Sequence, residues 1–211
     1  MEVLLVAVSK KVLGDHLGLL SQLGVCPRII DVNPLALMNC LSGGRDPENY
    51  STMVIVDIGA HITTISIFKE GISFFNRGIS VAGNEFTKEV KNKLGLDFFS
   101  AEKLKIGGEI ELCHIESTLT RLVSELQQSF LYFDKRIYGE SFDRIFLSGG
   151  GARMKNLNTY LAEKLNLPVD MYYPFAHIIF DRDTFSQDEL QSSPQLTIAM
   201  GLALRGIRYA V

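Results

Sequence analysis

Two periods of apolar residues run along this chain, and the switch between them outlines its organisation. Residues 52–58, 62–69 and 72–79 are dense in β-branched and aromatic side chains, so each is expected to be a strand. Lys69-Glu70-Gly71 should close the last two into a tight hairpin. The period then turns helical, predicting short helices over 83–94 and 100–106 and a long one over 113–138. The long segment carries Ile115, Leu119, Leu122, Val123, Leu126, Phe130, Phe133 and Ile137, mostly three or four apart. Such a stripe is expected to face the domain's own core, with Glu116, Arg121, Glu125 and Lys135 on the solvated side. Residues 142–147 return to strand, and Leu157, Leu161 and Leu165, spaced by four, predict a helix after it. In the terminal helix expected over 194–208, Ala199, Gly201 and Ala203 would permit close packing.

The start of the chain reads as a strand over 2–8, an amphipathic helix over 10–23 and a strand over 27–32, a βαβ piece. Asn33-Pro34 should cap the next helix, since proline is tolerated in a first turn. Residues 42–50, with two glycines and a proline, are the most linker-like segment. After it, residues 52–190 are expected to form a self-sufficient lobe with a mixed sheet and flanking helices.

Candidate chemistry lies at the ends of two strands. Asp57-Ile58-Gly59-Ala60-His61-Ile62-Thr63-Thr64 follows the first strand. Gly59 lacks a Cβ, so its amide could approach a phosphate oxygen; Thr63 and Thr64 would add hydroxyl donors, and successive turn amides make an anion-binding concavity. Asp57 could hold a water or a Mg2+ ion bridging phosphate oxygens. A plain hairpin with a glycine turn would look the same. The second turn, Ser148-Gly149-Gly150-Gly151-Ala152, offers bare backbone on which an adenine or ribose could lie. Two such turns at strand ends in one chain suggest a nucleotide cleft. Glu102 and Lys105 share one helix face at a spacing of three, as a ribose contact or as a surface ion pair. Asp181-Arg182-Asp183 and Asp188-Glu189 fit no metal-binding loop and read as solvated acidic loop.

Composition narrows the classes. With 46% hydrophobic and 21% charged residues the chain can bury a sizeable core, and a net charge of −3 gives no electrostatic reason to expect nucleic acid or anionic lipid. No apolar run reaches the length of a membrane span. Cys26, Cys40 and Cys113 are odd in number and widely spaced, which favours reduced thiols in a cytoplasm. Neither they nor the four histidines show metal-ligand spacing.

Against this background the motifs resemble those of the actin-like ATPases, a ribonuclease H-like α/β fold. Val56-Asp57-Ile58-Gly59-Ala60 resembles their second phosphate loop, and Leu147-Ser148-Gly149-Gly150-Gly151-Ala152 their adenosine motif. Ala82-Gly83-Asn84-Glu85-Phe86-Thr87 is similar to the helix start beside the nucleotide, and Ala101-Glu102-Lys103-Leu104-Lys105 to the helix whose Glu and Lys flank the adenosine. Within that superfamily the chain resembles the PilM family of type IV pilus assembly, related to the division protein FtsA. Ile30-Asp31-Val32-Asn33-Pro34-Leu35-Ala36-Leu37 is similar to that family's crossover from a small inserted subdomain, although Asn33 stands where the family is often acidic. The resemblance runs from Glu2 to Arg208.

The resemblance implies a partial actin-like fold covering the last three-fifths of a PilM. Residues 1–33 would be a remnant of the inserted (1C or SHS2-like) subdomain and 34–50 the crossover helix and linker. Residues 51–192 would be the second lobe (2A/2B), and 193–211 a helix returning to the first lobe. It implies ATP or ADP with Mg2+ as ligand, bound through Asp57, Gly59, Ala60, Thr63, Thr64, Gly83, Asn84, Glu102, Lys105, Gly149, Gly150, Gly151 and Ala152. The first Asp-x-Gly hairpin that should complete the phosphate clamp does not occur, so affinity should be weakened and ATP hydrolysis negligible; no residue is assigned a catalytic role. The family implies a cytoplasmic scaffold, peripheral to the inner membrane through partners. The partner implied is the short cytoplasmic tail of PilN, in a groove between the inserted subdomain and the first large domain, with other inner-membrane pilus-assembly proteins nearby. With one wall of that groove missing, Val3, Leu5, Ile29 and Leu35 should be exposed, favouring a homodimer through residues 1–41. The alternatives are a small-molecule kinase of the same superfamily and a cytoplasmic domain like that of the type II secretion protein GspL.

Overall fold

All seven residues of β1 (Thr52–Ile58) are buried because this strand runs through the middle of a sheet covered on both faces. The computed structural model describes residues 5–42, 52–137, 142–177 and 186–208. In it β1, β2 (Thr63–Lys69), β3 (Ile72–Ile79), β4 (Arg144–Ser148) and β5 (Val169–Met171) form one sheet in the order β3-β2-β1-β4-β5. The pairs β1–β2 and β2–β3 are antiparallel hairpin neighbours, whereas β1–β4 and β4–β5 are parallel. Parallel partners need a crossover. The one from β3 to β4 holds α3 (Gly83–Leu94), α4 (Phe98–Gly107) and α5 (Glu116–Ile137), and α6 (Leu157–Leu165) joins β4 to β5.

The β2–β3 turn is the tight hairpin expected, with Glu70 and Gly71 both at positive φ (49° and 74°). Side chains of β1 and β2 alternate between two cores. Val54, Val56, Ile58, Ile65 and Ile67 pack with Phe86 of α3, Ala101 of α4 and Leu161 of α6. The stripe of α5 closes the same core: Ile115, Leu122 and Leu126 are wholly buried, Leu119 and Phe133 nearly so. That is the core face the periodicity predicted. On the other side of the sheet Met53, Ile55, Phe68, Phe146 and Tyr172 meet Leu37, Cys40 and Leu41 of α2 (Asn33–Ser42). Ile198 and Met200 of α8 (Thr197–Arg208) join them. A Cβ placed on Gly201 would fall inside the Ala36 carbonyl, so α2 and α8 touch backbone to backbone there. The lobe therefore takes in α2 and α8 as well as the strands and helices between them.

Residues 1–32 form a separate compact unit from 33–211. In the first unit α1 (Lys10–Gln22) forms as expected, with the Ser9 hydroxyl accepting from the Val12 amide at 3.3 Å, but it has no buried residue. The strands expected over 2–8 and 27–32 are not found: residues 5–8 and 27–32 carry no strand, and residues 1–4 lie outside those described. The reason is physical. A strand exists through its ladder, and no described segment pairs with either run, so residues of β-type composition form none there. Leu5 is 86% and Ile29 39% exposed, in line with the exposure expected, Leu35 is half-buried, and Val3 lies outside the described residues. The linker expected at 42–50 and the Asp181–Asp183 acidic run also fall outside them, apart from Ser42, which ends α2. Glu189 is not loose polarity: with Ser186 it makes a capping box at the start of the short helix α7 (Gln187–Ser192).

Candidate functional site

The two turns singled out in the sequence lie side by side. Because β1 and β4 are parallel neighbours, Asp57 pairs with Ser148, and both turns leave the sheet at the same end. Thr64 is Asp57's partner on the other side, so Thr64, Asp57 and Ser148 are cross-strand neighbours on one face. Asp57 is only 8% exposed. Burial pushes its carboxyl above the ordinary aspartate value, and a hydrogen bond from the Ser148 hydroxyl pulls it partly back. Ser148 also approaches the Pro194 carbonyl at 3.2 Å. Sequence reasoning left Ser148 out of the site; only the strand register reveals it.

The hairpin tip, residues 59–62, is tied down by its own backbone. The Gly59 amide donates to the Ile62 carbonyl (3.1 Å), and a Cβ on Gly59 would stand 2.8 Å from that oxygen. The glycine is thus required by the turn itself, and its amide is committed. The Gly59 and Ala60 carbonyls accept from the Gly83 and Asn84 amides, each at 2.8 Å. The first turn of α3 is thereby held against the hairpin, its first two amides engaged. Asn84 reaches His61 Nδ1 through Nδ2 at 3.3 Å, while Ala60 and His61 form the exposed tip. Thr63, fully buried, donates its hydroxyl to the Val81 carbonyl at 2.7 Å, turning it inward; the half-buried Thr64 is the threonine left toward Asp57.

The three glycines of the second turn differ from one another. At Gly149 φ is 85° and ψ 166°, a region open to glycine, and its amide donates to the Pro194 carbonyl at 2.9 Å. A Cβ there would meet Ile58 O at 2.5 Å; one on Gly151 would meet Ile58 Cγ2 at the same distance. Ala152 is buried in the core. Gly149 and Gly151 are small because β1 passes against them. Gly150 alone faces open space and solvent, with nothing nearer than Gln195 Oε1 at 3.8 Å.

Glu102 and Lys105 form an ion pair at 2.7 Å, but they are not equals. Lys105 is 6% exposed, and its ammonium also donates to the Gly83 carbonyl (3.0 Å) and the Thr87 hydroxyl (2.8 Å). Three donors meet three acceptors, so Lys105 has no proton left for a ligand. Glu102 is 32% exposed, and among the described residues its Oε1 has no partner. It is the member of the pair that faces outward.

For a divalent cation the donor set is thin. Asp57 is one buried carboxylate, and no cluster of three or more His, Cys, Asp or Glu side chains occurs among the described residues. With so few protein donors, a Mg2+ ion would have to take most of its ligands from water and from a phosphate. No helix among the described residues is long and apolar enough to cross a membrane.

Comparison with known proteins bears on the family and the fold. The family described as "Type IV pilus assembly protein PilM" matches residues 1–207. A solved PilM–PilN type IV pilus biogenesis complex superposes with a TM-score of 0.82 at 27% identity, over 94% of this chain and 58% of that one. The ethanolamine utilization protein EutJ of Carboxydothermus hydrogenoformans has a TM-score of 0.70 at 14% identity, over 94% of this chain and 62% of that chain. MreB5 of Spiroplasma citri, solved bound to ADP, has a TM-score of 0.63 at 18% identity, over 96% and 68%. The fold is a partial actin-like one, with a mixed sheet and flanking helices. The chain spans about three-fifths of the length of the first two solved relatives, at 58% and 62%.

Proposed function

The chain belongs to the type IV pilus assembly protein PilM family, and from that membership we propose that it forms the larger part of an actin-like, nucleotide-binding scaffold of pilus assembly. The observation that carries the nucleotide reading is the convergence at one sheet end of Asp57, the hairpin tip tied to α3, and the glycine turn after β4. In this reading ATP or ADP with Mg2+ is the ligand. Asp57 holds a Mg2+-bound water, Ala60 and Thr64 face the phosphates, Glu102 accepts from the ribose, and Gly150 lies under the nucleoside. Gly59, Thr63, Gly83, Asn84, Lys105, Gly149, Gly151 and Ala152 shape the site from behind, through the contacts described above.

The solved PilM–PilN complex supports the cytoplasmic tail of PilN as partner, which would hold the chain at the cytoplasmic face of the inner membrane. Exposed Leu5, Val6, Val8, Val12 and Leu19 support self-association through residues 1–41. Light scattering on the chain and on a version beginning at Asn33, which keeps the core helix α2, tests this; strict monomers in both would count against it.

Calorimetric titration with MgADP and MgATP is the deciding experiment for the site. Weak binding that disappears in Asp57→Ala is expected, with no turnover above background in either protein. One hairpin cannot surround a γ-phosphate, and phosphoryl transfer depends on charge stabilisation from several sides. Robust Asp57-dependent turnover would replace the scaffold reading with an enzymatic one.

A further inference from the structure

We propose that Thr87 is a positioning residue that links the two ends of the site, the hairpin tip and the outward carboxylate of Glu102, without touching the ligand itself. The inference rests on the nucleotide reading above for its purpose, but its geometry is independent of it. Thr87 lies in α3, one turn after Gly83, and is fully buried. A buried hydroxyl in a helix ordinarily bonds back to the carbonyl four residues earlier, and Thr87 Oγ1 does approach the Gly83 carbonyl at 3.1 Å. Here it does more. It also bonds Glu102 Oε2 and accepts from Lys105 Nζ at 2.8 Å, two side chains of a different helix. Lys105 in turn donates to the Gly83 carbonyl at 3.0 Å.

These contacts form a closed set around one oxygen. Its members are α4 through Glu102 and Lys105, and the first turn of α3 through Gly83 and Thr87. From Gly83 the chain of bonds continues outward, because the Gly83 amide donates to Gly59 O and the neighbouring Asn84 amide to Ala60 O. A displacement of the hairpin tip is therefore passed to Gly83, and from there to the atoms that hold Glu102. Glu102 keeps one oxygen bound inside this set and the other free, the arrangement of an acceptor held at a fixed height. Without the hydroxyl, Lys105 loses one of its three acceptors in a nearly closed pocket, and Glu102 loses the neutral donor that fixes its rotamer.

The test uses the whole chain with Thr87→Val, which keeps the shape and removes the hydroxyl, and Thr87→Ser, which restores it. The first readout needs no ligand: amide hydrogen exchange at Gly83 and Asn84. Loss of a hydrogen bond to a charged group should speed exchange there at least about tenfold in the Val variant, with the Ser variant close to the unaltered chain. The second is ADP affinity by calorimetry, expected to fall about tenfold in Thr87→Val and to recover in Thr87→Ser. Unchanged exchange in Thr87→Val would overturn the link. Faster exchange with unchanged ADP affinity would overturn its role in the site. Faster exchange in a chain whose unaltered form binds no ADP would leave the link standing and remove the nucleotide reading. Should Thr87→Val fail to fold, Glu102→Gln at its part-exposed position is the second variant: the link predicts faster Gly83 exchange there too, and unchanged exchange overturns it.

Discussion

The glycine turn after β4 allows a prediction that separates packing from ligand binding residue by residue. In Gly149→Ala the new Cβ would lie 2.5, 2.8 and 2.9 Å from Ile58 O, C and N. All three are backbone atoms of a buried central strand, so the turn must move rather than the strand. The dihedrals at Gly149 (φ 85°, ψ 166°) cost a non-glycine residue about 1–3 kcal/mol, and overpacking against an immobile neighbour a further ~1–3 kcal/mol. A loss of about 2–6 kcal/mol follows, or roughly 4–24 °C in unfolding midpoint for a chain of this size. Gly151→Ala meets Ile58 Cγ2 at 2.5 Å and Ile58 O at 3.0 Å, without a positive φ, so about 1–3 kcal/mol is expected. Gly150→Ala has open space and ordinary dihedrals, so it should be neutral or stabilise by up to ~1 kcal/mol through the unfolded state. Chemical denaturation of the three variants supplies the numbers. If Gly150→Ala were the most damaging, or Gly149→Ala neutral, the account of this turn as built around Ile58 would be wrong. A calorimetric ADP titration of Gly150→Ala then isolates any direct role of the exposed glycine.

Three further outcomes are expected. Asp57 has a carboxyl raised by burial, so the folded chain binds that proton more tightly than the unfolded one; the stability it contributes is complete below the ordinary carboxylate range and is lost as pH rises through the raised value. Asp57→Asn should therefore unfold later than the unaltered chain at pH 7, with the gap closing below about pH 4, and a gap independent of pH would refute this. Cys40 is buried and its thiol is pushed up to about 11, whereas Cys26 and Cys113 are exposed, so alkylation at pH 8 counted by mass should add two labels to the native chain and a third only after unfolding. Gly201→Ala should destabilise by about 3 kcal/mol or more in denaturant unfolding, because the methyl would enter the Ala36 carbonyl; a neutral result would mean that α2 and α8 are not in backbone contact.

What could be seen in the sequence was what local period encodes. The helix expected over 83–94 is the helix found, Gly83–Leu94, and the three strands of the two hairpins lie within a residue of their expected bounds. The helix expected to begin at Ser100 begins instead at Phe98, because Asp97 caps it by accepting from the Ser100 amide at 3.0 Å. The signal lies in the sequence itself, an aspartate three residues ahead of Ser100. The strands expected at 2–8 and 27–32 fail for the opposite reason: their composition suits a ladder, and a ladder depends on a partner that composition does not specify. At the site, the proximity of the two turns was legible from their shared position at strand ends. The partnership of Asp57 with Ser148 was not, since it depends on the register between strands far apart in the chain. Nor was the inward turn of Thr63, or the fact that Ile58 demands two of the three glycines.

The contact between Ala36 and Gly201 also bears on how this lobe is made in a cell. Its first helix finds its backbone neighbour only in the last helix described, so the contact closes a loop nearly as long as the lobe. Loops of that length form late and slowly, and their entropy cost is met before any packing rewards it. During synthesis Leu37, Cys40 and Leu41 emerge early, while Ile198 and Met200, which complete their cluster, emerge more than a hundred residues later. For that interval the nascent chain carries an unfinished apolar face, an aggregation hazard that ends when α8 leaves the ribosome. Slow refolding, and engagement by chaperones that bind apolar segments during translation, are thus the outcomes expected of two small residues that let two distant helices touch.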